Sequence, residues 1–101
     1  MNAKELTKAK ADAHNRMKAK DAFSVWYQGI DAEFKKCRNN ISDRAFNGYY
    51  NVKCNIQLPN FNNNYYNEMA IKEEQERIAL FHNDGFKTKR TSCLKIKVSW
   101  K

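Results

Sequence analysis

Hydrophobic and polar positions change period along this chain, and the changes mark its elements. From Ile30 the apolar residues Ile30, Phe34, Cys37, Ile41 and Ala45 recur at helical spacing and share one face. Gly48 follows where a left-handed C-cap would end that helix. The period then drops to two. Tyr50, Val52, Cys54, Ile56 and Leu58 alternate with Asn51, Lys53, Asn55 and Gln57, the mark of a strand with one buried and one wet face. Pro59 closes it, because proline cannot continue a central ladder.

A polar connection from Asn60 to Asn64 offers asparagine as a helix N-cap. The helix it introduces is expected over 62–83, with Ala70, Ile71, Ile78 and Phe81 on one stripe and a stop at Asp84-Gly85. Met69 and Leu80 lie well round the other side, as ordinary exposed apolar surface or as an oligomer contact. The remainder, 86–100, reads as a strand. Leu94, Ile96, Val98 and Trp100 point one way, and Lys95, Lys97, Ser99 and Lys101 the other. A tight turn near Lys89-Arg90-Thr91 would instead split this stretch into a hairpin, and the pattern leaves both forms open.

Upstream, residues 1–20 lack Gly and Pro and are rich in alanine, which predicts a helix. Its apolar stripe of Leu6, Ala9, Ala13 and Met17 is thin and suits docking on a surface better than forming a core. An aromatic patch, Ala22-Phe23-Ser24-Val25-Trp26-Tyr27, comes next and is interrupted by Gly29. The resulting expectation is an α+β fold, a small two-layer domain of order α-α-β-α-β with the helices packed on one face of a small sheet. Residues 1–101 form a single domain, with 1–22 a basic N-terminal helix or arm and 30–101 the core. Helix, glycine and strand occur twice in succession, at Ala45 to Tyr49 and at Leu80 to Phe86. If the two strands are adjacent and parallel, their crossover should be right-handed.

Charge adds a direction. The 101 residues carry a formal net charge of +8, so a polyanion is the first partner to consider. The charge is uneven. Residues 1–20 hold six basic groups (Lys4, Lys8, Lys10, Arg16, Lys18, Lys20) and two acidic ones, net +4. Residues 60–85 are net −3, and residues 86–101 hold six basic groups with no acid. Period two puts Asn51, Lys53, Asn55, Gln57, Lys95, Lys97 and Ser99 on the wet face of the sheet. Lysines attract phosphate there, and the amides and hydroxyl hydrogen-bond to it. The plain alternative is a solvated face whose lysines guard an edge against aggregation. Only Tyr49 shares that face by parity, so it lacks the stacking aromatics of single-strand RNA platforms. Lys87, Lys89 and Arg90 form a second basic cluster, which the fold either joins to the N-terminal helix or keeps apart.

Chemistry motifs are absent: no GxGxxG, P-loop, HExxH or nucleophile elbow. His82 falls at a helix end, where it helps cap the dipole. Glu73, Glu74 and Glu76 are spread round a helix as a solvated face. We expect a non-enzyme with no cofactor and no metal site. Cys37, Cys54 and Cys93 show no CxxC, and an odd, scattered set argues against a disulfide framework and for free thiols in a reducing compartment. No apolar leader or membrane-length apolar run is visible, which predicts a soluble, intracellular chain.

The run from Asn83-Asp84-Gly85-Phe86 through a short basic link to Leu94-Lys95-Ile96-Lys97-Val98-Ser99-Trp100 resembles a group of small proteins of tailed bacteriophages. Residues 30–101 carry the resemblance, and the Phe23–Tyr27 patch and the basic helix lie outside it. The group has no general assigned activity, so no functional residue carries over. The resemblance implies an accessory, counter-defence setting in the host bacterial cytoplasm, where such proteins bind a host factor or defence component or sequester a small signal. Three functions are then in play. The first is stoichiometric binding of nucleic acid or a nucleotide-like anion through Lys53, Lys87, Lys89, Arg90, Lys95 and Lys97. The second is a protein–protein inhibitor anchored on Phe23, Trp26, Tyr27, Met69 and Leu80. The third is a homo-oligomer that traps a nucleotide between subunits. No membrane partner is expected.

Overall fold

A computed structural model describes residues 2–101. Its longest feature is one continuous helix, α1, Ala3–Phe46. At about 1.5 Å per residue such a helix spans some 66 Å, and the molecule measures 66 × 20 × 18 Å. Asn2 caps its start, the side-chain oxygen accepting from the Glu5 amide at 2.8 Å. The two helices expected on either side of Gly29 are therefore one. A mid-helix glycine costs only about 1 kcal/mol, and Trp26, Ile30 and Phe34 on either side of it are held by the core, so packing outweighs the propensity.

Both helices end in the same way. Gly48 takes φ +86° and Tyr49 N–H donates to the Arg44 carbonyl at 3.0 Å. After α2, Asn64–Asn83, Gly85 takes φ +91° and Phe86 N–H donates to the Phe81 carbonyl at 3.0 Å. Each is a left-handed glycine closed by a six-to-one hydrogen bond. The repeated helix–glycine–strand pattern in the sequence is this capping motif used twice.

The sheet has three short strands, β1 Asn51–Cys54, β2 Lys87–Ser92 and β3 Lys95–Ser99. Their order is β1-β3-β2 and both pairings are antiparallel. The architecture is α+β, with both helices on one face. The last stretch is a hairpin, and its turn falls at Cys93-Leu94 rather than near Lys89–Thr91. No parallel pair or right-handed crossover arises, because β3 folds back into the centre. The ladder of β1 stops at Cys54, yet Ile56 remains buried and Leu58 N–H reaches the Cys93 carbonyl at 2.7 Å. Leu94 sits in the turn and is exposed instead of joining Ile96 and Val98.

The core lies between sheet and helices. Val52, Cys54, Ile96 and Val98 from the strands meet Ile30, Phe34 and Cys37 of α1 and Phe81 of α2. Cys37 and Cys54 are joined as a disulfide, with Cα atoms 5.5 Å apart, and only Cys93 is a free, exposed thiol. This corrects the expectation of three free cysteines. Seventeen residues separate the pair in sequence, and α1 packing on β1 brings the two sulfurs together.

Contacts between the helices advance in step: Phe23 with Tyr66, Asp31 with Arg77, Arg38 with Asp84. The two helices therefore run parallel, and α2 begins near the level of Phe23. Residues ahead of that level have no neighbouring helix.

Candidate polyanion-binding face

The site is built by strand parity and register. Antiparallel pairing sets Lys53 opposite Lys97, and Lys97 opposite Lys89. One row of three lysines thus crosses the whole sheet. The next row is Asn51, Ser99 and Lys87. Lys95 follows Lys97 on the same face, beside a register shift between Arg90 and Ser92. Neighbouring strands lie about 4.8 Å apart and same-face residues along a strand about 6.7 Å apart. The five lysines therefore form a lattice of flexible ammonium groups, with no carboxylate among the residues of this face. The helices occupy the opposite face; Lys53, Lys87, Lys89 and Lys95 are exposed and the central Lys97 is half-buried.

Arg90 does not belong to this lattice. Its parity turns it inward, where its side chain donates to Glu74 at 2.6 Å, to the Ile56 carbonyl at 2.9 Å and to the Ser92 carbonyl at 3.0 Å. Glu74 is buried, which corrects the reading of the glutamates as one solvated face. Arg90 holds the α2–hairpin junction together and is a structural residue. Period two already distinguishes it from Lys87 and Lys89, but only once β2 is known to be a strand.

The same division runs through the molecule. Among the described residues every ion pair uses an arginine: Arg38 with Asp84, Arg77 with Asp31 and Glu73, Arg90 with Glu74. Arg44 donates to the Asn51 carbonyl and lies over the Tyr49 ring. Burial works against the Arg77 charge, but hydrogen bonds with Glu73, Asp31 and Tyr27 outweigh it and hold its guanidinium pKa above the ordinary value. Among the described residues no lysine has a carboxylate partner within ion-pair distance. Arginine's planar fork suits fixed bidentate pairing, and the solvated lysine ammonium suits a mobile, adaptable charge.

The aromatic patch is largely committed to the fold. The Phe23 ring lies 5.8 Å from Phe61 and 5.5 Å from Tyr66, and Trp26 Nε1 donates to the Gln57 carbonyl at 3.3 Å. These contacts fasten the middle of α1 to the loop and to the start of α2. Tyr27 stays exposed beside half-buried Met69, whereas Leu80 lines a different groove with Phe34 and Arg38. The five residues proposed as anchors do not form one patch. His82 bonds Thr88 Oγ1 at 2.8 Å across the turn into β2. The basic arm belongs to the helix layer and the lysine lattice to the far side of the sheet, so the two do not form a single stripe on one layer.

Among the described residues no group of three or more His, Cys, Asp or Glu is placed to hold a metal ion, and no helix is long and apolar enough to cross a membrane. No protein-family model matches the chain, and no curated protein or solved structure is found to be similar to it.

Proposed function

We propose that this protein is a stoichiometric binder of nucleic acid or a nucleotide-like anion, and that it works through the outer face of its sheet. One observation carries the reading: the Lys53–Lys97–Lys89 row. Like charges placed directly opposite in a sheet destabilise it, and here two such oppositions are consecutive with no acid to relieve them. A polyanion laid on the face removes that repulsion and releases its own counterions. Lys87 and Lys95 extend the contact, and Asn51 and Ser99 supply hydrogen-bonding groups. With no stacking ring in the lattice, recognition is of backbone charge rather than base identity. The resemblance of residues 30–101 to small tailed-phage proteins supplies the setting, a counter-defence accessory role in the host bacterial cytoplasm.

The test is binding of a labelled oligonucleotide across a salt series, with Lys95→Glu/Lys97→Glu as the variant. The expected result is affinity that falls steeply with salt and is lost in the variant while its circular dichroism is unchanged. Affinity that is retained in the variant, or indifferent to salt, would refute the reading.

A further inference from the structure

Residues 3–18 of α1 extend beyond α2 and the strands, with the 60–63 loop beside residues 9–18. All are exposed, and Ala19 is the first buried position of the helix. On this arm Leu6, Ala9, Ala13 and Met17 share one stripe, with Leu6 48% and Met17 68% exposed. At about 100° per residue the stripe is turned roughly a quarter of a circle from Ile30, Phe34 and Cys37, which face the sheet. It looks instead to the side of α1 on which Tyr27, Asp31 and Arg38 meet α2 further along. On that side lies an open groove of about 320 Å³ between the helices, formed by Phe23, Ser24, Tyr27, Gln28, Met69 and Glu73.

We propose that two copies of this chain associate about a twofold axis, the arm of each lying along the α1–α2 groove of the other. The register supports this. Met17 lies eleven residues after Leu6, and Gln28 lies eleven after Met17. With the two α1 helices antiparallel and Met17 at the axis, Leu6 of one copy falls level with Gln28 of the second. Both are about 16 Å from the axis along the helix. Leu6 then enters the groove between Tyr27 and Met69, and the two Met17 side chains meet at the centre. The small side chains of Ala9 and Ala13 let the helices approach.

Charge complements the fit. The arm, residues 3–18, is net +3, and among the described residues Glu68 and Glu76 of α2 carry no ion pair, whereas Glu73, Glu74 and Asp84 are engaged by Arg77, Arg90 and Arg38. Side-by-side packing of two arms in parallel would set +3 against +3. The contact is isologous and closes on itself, so it ends at a dimer rather than a filament. It lies on the helix layer and leaves both lysine lattices open, so it stands or falls independently of anion binding.

The decisive experiment is light scattering and sedimentation equilibrium on nucleic-acid-free protein at micromolar concentration and physiological salt. The expected mass is twice that of the 11.9 kDa chain. A monomer at every concentration would overturn the proposal. Leu6→Asp/Met17→Asp should convert the dimer to monomer while the core keeps its native near-ultraviolet spectrum, and a persistent dimer would show that the arm is not the interface. Met17→Cys combined with Cys93→Ser should oxidise to a covalent dimer, and failure to cross-link would rule out the twofold at Met17. Oligonucleotide binding that survives in the monomeric variant separates this outcome from that of the sheet face.

Discussion

Lys53 on β1 is the direct cross-strand partner of Lys97 on β3, and Lys97 has Lys89 as its partner on the other side. The central lysine therefore bears two like-charge neighbours. Replacing it with an uncharged side chain, Lys97→Gln, should leave stability unchanged or raise it by up to about 1 kcal/mol. The same change should weaken polyanion binding and lower the salt slope by about one unit. Urea unfolding and fluorescence anisotropy measure the two effects. A loss of stability with affinity intact would contradict the account on both counts.

Arg90 and Glu74 offer the opposite case. Their 2.6 Å pair is mostly shielded from water, with side chains 25% and 10% exposed. Arg90→Met strands the Glu74 carboxylate and should cost about 3 kcal/mol or more. Adding Glu74→Met should recover most of that loss, because the buried charge is then gone. Urea midpoints of the two single variants and the double variant form the cycle. Additive losses would mean that the two side chains act independently.

The Cys37–Cys54 bond closes a loop with a sequence separation of 17. Loops of that size give a disulfide about 3 kcal/mol of stabilisation. Under denaturing, non-reducing conditions a thiol assay should count one reactive cysteine, Cys93, and reduction should raise the count to three. The reduced protein should unfold at a correspondingly lower denaturant concentration. Three thiols before reduction would show that the bond does not form.

Gly29 lies inside α1, and a Cβ built there meets no atom within 4 Å. Gly29→Ala should stabilise the protein by about 0.5–1 kcal/mol, since it lowers the entropy of the unfolded chain without a clash. Gly85→Ala should do the reverse, because φ there is +91°. Thermal melts of the two variants should move in opposite directions.

Much of this architecture is visible in the order of residues. The helical face of Ile30, Phe34 and Cys37, the alternation of Val52 and Cys54 and of Ile96 and Val98, and the stops at Gly48 and Gly85 all recur in the structure. So do the outward positions of Lys53, Lys95 and Lys97. Grouping Arg90 with Lys87 and Lys89 equates adjacency in sequence with adjacency on a surface. In a strand, neighbours point to opposite faces. Its partner Glu74 lies sixteen residues away on another element, and no local pattern reveals such a pair.

The sequence by itself determined the periods, the caps and the surplus of lysine, because these arise from interactions within a turn of helix or between alternate residues of a strand. Only the tertiary structure decided the rest. It carried α1 straight through Gly29, because packing on both sides of the glycine outweighs its propensity cost. It folded 86–100 into a hairpin and set β3 between β1 and β2, so that three lysines distant in sequence became one row. It also brought Cys37 to Cys54. Those outcomes depend on which surfaces bury one another across the whole chain, and no window of neighbouring residues contains that choice.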